Sequence, residues 1–389
     1  MKKSLSALSG ALILSIALYA PAPAFAAAAA ISIDNLSAVG AILIDAKSGE
    51  VLFEKNSHEK REPASVTKVM TMLLVMEAID RGELDFQDPI TVSEEAAKTG
   101  GTQLYLETGE VRTVEELLYG VAVESANDAA NALAAHLGGT VSEFIDMMNS
   151  RASELGMSDT HFNSACGLHA EGHYTSANDI AVMSRELLKH PKILEFTDTW
   201  MKDVYVGKGN SVKRTLANTN KLISRLDYID GLKTGYTSEA GHCISATGEV
   251  DGLRLICVLM GSKDSETRFR EATALMQWGY SQYKANYPVK AWEPIGTAHV
   301  FNAKNQTLNV TVSKDAYKLT KKSEAPEYEI VTDINNKKLS APIKAGEKVG
   351  TVYIKREGEL IETMDAIAAE DAAKCSYFEY FARALPEFY

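Results

Sequence analysis

The stretch Glu62-Pro63-Ala64-Ser65-Val66-Thr67-Lys68-Val69-Met70 decides how the rest of this chain is read. Pro63 suits the start of a helix, where its missing N–H would have no partner in any case. From Val66 onward the residues Val69, Met70, Met72, Leu73, Leu74, Met76 and Ile79 leave almost no polar face, which predicts a buried helix. Ser65 then falls in or just before the first turn, and Lys68, three residues on, shares its face. A hydroxyl at the positive end of a helix beside an amine is a plausible nucleophile. If burial and a second cation keep that amine neutral, it can take the hydroxyl proton. Alone, Ser-x-x-Lys is weak evidence and reads first as a helix-capping serine followed by a surface lysine, so the remainder of the chain must decide.

A chain of 389 residues exceeds one ordinary core and predicts two domains; 46% hydrophobic and 24% charged residues mark it as globular. Residues 1–26 have the form of a secretory signal: Lys2 and Lys3, an apolar run from Leu5 to Ala20, and Ala24-Phe25-Ala26 as a cleavage site. A secreted mature chain starting near Ala27 is expected, the alternative being an uncleaved N-terminal anchor. Formal net charge is −12, which argues against a nucleic-acid partner. Cys166, Cys243, Cys257 and Cys375 have no C-x-x-C spacing and are too few for a disulfide scaffold. His169 and His173 have the i,i+4 spacing of a metal pair, but glycines surround them and no third ligand is visible, so no metal or other cofactor is expected.

Along the chain, apolar runs at 38–44 and 51–53 around Lys47-Ser48-Gly49 predict a β-hairpin. Helices are expected at 114–118, with Thr113 and Glu116 as a capping box, and at 126–137, 141–155 and 180–188. Strands are expected at 241–247 and 253–260, joined by a turn over 248–252, then an amphipathic helix over 266–283. Near Pro288 the composition changes to short alternating runs, which read as a small all-β domain. From Asp365 helical spacing is expected to return, with Tyr377, Phe378, Phe381, Leu385 and Phe388 on one face and Pro386 limiting the helix.

Two further elements join the opening stretch. Ser125-Ala126-Asn127 precedes a predicted helix, and Lys233-Thr234-Gly235 opens the later strand region. Ser-x-x-Lys, Ser-x-Asn and Lys-Thr-Gly in this order resemble the signature of penicillin-binding proteins and serine β-lactamases. With the signal segment, the β domain and the terminal helix, the whole chain resembles a low-molecular-mass penicillin-binding protein of the D-alanyl-D-alanine carboxypeptidase type. Two decoys repeat the motifs. Lys98-Thr99-Gly100 reads better as a helix end and loop, and Ser176-Ala177-Asn178 as a helix cap with Asp179.

The resemblance implies an α/β (α+β) penicillin-binding/β-lactamase-like transpeptidase fold, an antiparallel sheet flanked by helices, with the small C-terminal all-β domain and a terminal amphipathic helix. The expected division is 1–26 signal, 27–286 catalytic, 287–364 all-β, and 365–389 helix. It further implies that Ser65 attacks the carbonyl between two D-alanines, Lys68 takes the proton and Ser125 relays it to the leaving amine. Asn127 would hold the substrate amide, and the N–H groups of Ser65 and Tyr236 would form the oxyanion hole. Lys233 would lower the Lys68 pKa and attract the substrate carboxylate, with Thr234 and Arg268 binding it beside Gly235. The partners so implied are a peptidoglycan stem peptide ending in D-Ala-D-Ala, β-lactams, and the outer face of the cytoplasmic membrane through the terminal helix. Two other readings compete. A β-lactamase of the best-known kind needs Glu-x-x-x-Asn, which is absent, and lacks the extra domain. A non-catalytic penicillin sensor would keep an acylable serine without turnover.

Overall fold

The computed structural model describes residues 33–334 and 339–379. The expected signal segment and residues 380–389, with Phe381, Leu385 and Phe388, lie outside the described residues. At the centre is a five-stranded antiparallel sheet: β1 (Gly40–Asp45), β2 (Val51–Lys55), β3 (Ile229–Thr237), β4 (Gly241–Val250) and β5 (Leu253–Ser262), ordered β2-β1-β5-β4-β3. Its inner strands are apolar without alternation because both faces are covered. Ile42, Ile44, Ile256, Val258 and Met260 pack into a helical layer. Their neighbours Ala41, Leu43, Leu255, Cys257 and Leu259 pack against the helix Ser265–Gln282 on the other side.

The predicted hairpin at 38–53 forms as β1 and β2. The turn expected over 248–252 is tighter: Val250 pairs with Leu253, leaving only Asp251 and Gly252 as loop, both at positive φ. Asp-Gly is the dipeptide such a two-residue turn selects.

The helical layer is built around α1 (Lys68–Asp80), packed on α2 (Asn127–Gly138), α3 (Ala177–Leu187) and β3. Met70, Met72, Leu73, Val75 and Met76 are all sealed from solvent, as a helix apolar on every side requires. Truncating any of the longer ones to alanine would cost about 2–5 kcal/mol. The Thr113–Glu116 capping box forms with both reciprocal bonds, and Ser176 caps α3 through the Asp179 N–H.

The second unit is a five-stranded antiparallel sheet of 296–299, 307–311, 359–368, 348–356 and 328–334, in that order. Its core is Val300, Val310, Val352, Ile354, Met364, Ala366 and Ala368. The chain reaches it through a ribbon of 283–289 and 316–321, which starts directly after the helix ends at Gln282. Tyr317 Oη donates to the buried carboxylate of Asp45 at the end of β1 (2.8 Å), and Lys47 lies over the rings of Tyr287 and Tyr317.

The helix expected from Asp365 does not begin there. Met364 and Ala366 are buried with Asp365 exposed between them, Ile367 and Ala368 are buried too, and pairing with the strand 348–356 carries the extended chain to Ala368. Helical geometry begins only at Tyr377.

Candidate active site

Ser65 lies in a single 3-10 turn, Ala64–Thr67, that runs directly into α1. Ala64 holds φ +49°, a region that costs a residue with a Cβ. The turn is held in this shape from two sides. Gly167 packs so closely that a Cβ there would stand 1.9 Å from the Ala64 carbonyl oxygen. Gly235 of β3 likewise presses on Ser65 N, Pro63 O and the Ala64 Cβ, each within 3.0 Å of the Cβ it lacks. Glycine at the third position of Lys-Thr-Gly therefore lets the strand lie against the serine turn.

Lys68 is fully buried. Its Nζ lies 3.0 Å from Ser65 Oγ, 2.6 Å from Asn127 Oδ1 and 2.6 Å from the Cys166 carbonyl oxygen. Carbonyl oxygens only accept. A neutral amine therefore donates both hydrogens to Asn127 and Cys166 and turns its lone pair to the Ser65 hydroxyl. Burial is the main cause that lowers the Lys68 pKa to about 8, opposed by Cys166 and Asp128. Lys233 is fully buried as well, and burial, then Lys68 and Arg268, hold it well below the usual lysine range.

Asn127 opens α2, and its side chain also donates to the Gly100 carbonyl (2.7 Å). The Lys98-Thr99-Gly100 decoy is thus a loop after the short helix Glu94–Ala97 and a back wall for Asn127. Ser125, 6% exposed, takes the left-handed conformation (φ +67°) after a π-helical turn, Gly120–Glu124. The second decoy, Ser176, is buried under its own helix cap.

On β3, Lys233 Nζ donates to the Thr234 carbonyl (3.1 Å), and Thr234 Oγ1 donates to Thr219 Oγ1 (2.8 Å). Tyr236 is exposed and stacks on His242 at 4.4 Å. Arg268 is buried, and one of its terminal nitrogens donates to the carbonyls of both Gly235 and Cys243 (3.0 Å each). Burial lowers its pKa to about 10. The guanidinium thus ties β3 to β4 through one carbonyl of each.

Sequence reasoning missed the loop 163–173. Its Cys166 carbonyl receives Lys68, Thr71 Oγ1 fixes its Ala165 carbonyl (2.6 Å), and Gly167 abuts the serine turn. His173, singled out in the sequence only for its spacing from His169, bonds instead to Asn163 and Thr67. The Asn163 N–H donates to His173 Nδ1 (3.1 Å), so Nε2 carries the hydrogen and donates to Thr67 Oγ1 (2.8 Å). Thr67 in turn donates to the Ala64 carbonyl (2.7 Å). Backbone carbonyls carry no residue signature, so Cys166 was legible only as a thiol.

Residues 25–264 match the family described as D-alanyl-D-alanine carboxypeptidase, and residues 283–374 match the one described as penicillin-binding protein 5, C-terminal domain. The chain is 39% identical to D-alanyl-D-alanine carboxypeptidase DacF of Bacillus subtilis over 90% of this chain and 89% of that one. Its fold matches the crystal structure of D-alanyl-D-alanine carboxypeptidase DacD from Francisella tularensis with TM-score 0.66 and 30% identity, covering 88% of this chain and 95% of that one. Penicillin-binding protein D2 of Listeria monocytogenes, solved in its ampicillin-bound form, matches at 34% identity and TM-score 0.56, over 63% of this chain and 98% of that one.

Proposed function

The chain belongs to the D-alanyl-D-alanine carboxypeptidase family, and on that premise we propose how its residues divide the reaction. The protein is a serine-type hydrolase that removes the terminal D-alanine of the peptidoglycan pentapeptide and binds penicillin. Ser65 attacks the carbonyl of the penultimate D-alanine while Lys68 accepts its proton. The observation that carries this is the lone pair left on Lys68 once Asn127 and Cys166 have taken its hydrogens. Backbone N–H groups of Ser65 and Tyr236 receive the oxyanion, in a geometry that Gly235 permits. Ser125 passes the proton to the leaving amine. Asn127 orients the peptide, Thr234 meets its carboxylate, and Lys233 and Arg268 supply positive charge, Arg268 also fixing β3.

Purified mature protein incubated with a pentapeptide should release D-alanine and accept a fluorescent penicillin. Ser65→Ala should lose both while melting normally. Labelling of that variant, traced by peptide mapping to Ser125 or Ser176, would overturn the assignment.

The substrate places the enzyme outside the cytoplasm. We also propose that the tail beginning at Tyr377 rests on the outer face of the cytoplasmic membrane. Supporting this, Tyr377 and Phe378 are exposed to 79% and 84% and touch each other edge-on. No helix among the described residues is long and apolar enough to cross a membrane. The proposed division is signal (1–26), catalytic (27–286) and all-β units, the all-β unit running from 287 past the expected 364 to Ser376 because Ala366, Ala368 and Ala372 belong to its core, with the tail helix starting at Tyr377.

A further inference from the structure

Three segments that build the catalytic cleft each place one metal-binding side chain at the same point of its rim. Glu62 stands just before Pro63 and the serine turn. His169 follows Cys166 and Gly167, and Glu239 follows Tyr236 in the turn between β3 and β4. One ligand atom from each of the three lies within 4.8 Å of the others. His169 Nδ1 is 2.8 Å from Glu62 Oε1. Ser238 Oγ donates to Glu239 Oε1 (2.7 Å), which favours the ionised carboxylate.

Among the described residues no lysine or arginine forms an ion pair with Glu62 or Glu239; the imidazole of His169 is the one basic group against Glu62. Two carboxylates and one imidazole present a charge of −2 when the imidazole is neutral, which a divalent cation cancels. All three residues are reachable from solvent, with His169 and Glu239 exposed and Glu62 partly so.

We propose that Glu62, His169 and Glu239 form a site for a divalent transition-metal cation, of which Zn²⁺ fits the ligand set best. A mixed imidazole and carboxylate set suits Zn²⁺, whereas Mg²⁺ and Ca²⁺ prefer oxygen alone. Three protein ligands leave a fourth tetrahedral position for water. The spacing of His169 and His173 in the sequence suggested a different pair and no third ligand. The fold supplies the second and third ligands from segments 107 residues before His169 and 70 after it. A bound ion fastens together the segment carrying Ser65, the loop whose carbonyl receives Lys68, and the turn after Tyr236. Metal supply then controls how firmly the rim of the cleft is held.

The test is a Co²⁺ titration of the mature full-length protein, in a Cys375→Ser background because Cys375 is the one cysteine among the four that is not buried. One equivalent of Co²⁺ should give visible d–d bands that Zn²⁺ abolishes, and Zn²⁺ should raise the melting temperature. Glu239→Gln and His169→Asn should each weaken Co²⁺ binding by about 10-fold or more. His161→Asn, which removes an imidazole outside the cluster, should not. Penicillin labelling of every variant, measured without metal, should match the parent and shows that each is folded. Absence of the bands, or bands unchanged in the Glu239→Gln/His169→Asn double variant, overturns the proposal. Neither readout depends on carboxypeptidase activity, so the metal site and the catalytic assignment fail separately.

Discussion

The ring of His173 reaches the serine turn through a single intervening side chain: Nε2 donates to Thr67 Oγ1 at 2.8 Å, and Thr67 donates to the carbonyl of Ala64. Ala64 is the strained residue beside Ser65. The chain of donors therefore sets the carbonyl whose peptide plane carries the Ser65 N–H.

The first prediction follows from this. His173→Leu should lower the acylation rate by about 10–10²-fold, through kcat more than KM, because it displaces the reacting groups rather than removing one. His173→Gln, which can accept from Asn163 and donate to Thr67, should recover most of it. Equal loss in both variants would show that the ring contributes packing alone. Burial is the main cause that lowers the His173 pKa to about 4. The unfolded chain then binds a proton that the folded one refuses between about pH 6.5 and 4. Stability should be complete above pH 6.5 and fall by up to about 3 kcal/mol as pH drops to 4. In His173→Gln this part of the decline should vanish from the denaturation midpoints.

Lys68 makes a prediction of opposite practical import, since it concerns rate rather than stability. A protonated amine has no lone pair, so acylation should follow the neutral fraction of a group titrating at about 8. Second-order labelling by a fluorescent penicillin should rise about tenfold per pH unit below that value and level off above it. Lys68→Arg should lose about 10²–10⁴-fold, because guanidinium does not give up its proton at working pH. A flat profile between pH 6 and 9 would remove Lys68 from the role of base.

Gly235 tests the contact between β3 and the serine turn. Alanine there would place a Cβ 2.9 Å from both Ser65 N and Pro63 O. The strand must retreat, taking the Tyr236 N–H with it. Acylation should drop by about 10²–10³-fold, while stability falls by only about 1–3 kcal/mol, the usual cost of overpacking. Loss of stability without loss of rate would mean that the oxyanion is received elsewhere.

The pattern of what could be read in advance has a physical basis. Ser65 and Lys68 were legible because helical spacing alone puts them on one face, and the structure holds them 3.0 Å apart. The hairpin, both long strands and the helix after them followed from apolar runs and an Asp-Gly turn. Arg268 was legible as a cation but not as a brace, because its acceptors, the carbonyls of Gly235 and Cys243, belong to strands distant in sequence. The same holds for Glu62, His169 and Glu239, which only the fold brings together. Asp365 was misread because the four residues Asp365 to Ala368 are too few to fix a period, and pairing with the neighbouring strand decided for extended chain.

That correction changes how the tail must be tested. A cut at residue 366 would remove Ala366 and Ala368 from the core of the second sheet. It would also remove the bridges from Ala372 to Ile343 and from Lys374 to Ala303, and the Cys375 N–H bond to the Asn302 carbonyl (2.8 Å). The informative truncation ends at Ser376. The segment from Tyr377 to Tyr389 carries Glu379 and Glu387 against Arg383, so anionic lipid should not attract it and apolar burial must hold it. We expect the mature protein to float with zwitterionic liposomes more readily than with anionic ones. The truncated form should stay in the soluble fraction and release D-alanine at the parent rate. Tyr377→Ser/Phe378→Ser should bind liposomes more weakly than the parent, since two exposed rings of the apolar face are lost. If the full-length protein floats with neither lipid, the tail is not a membrane anchor, and its aromatic face must be covered by protein.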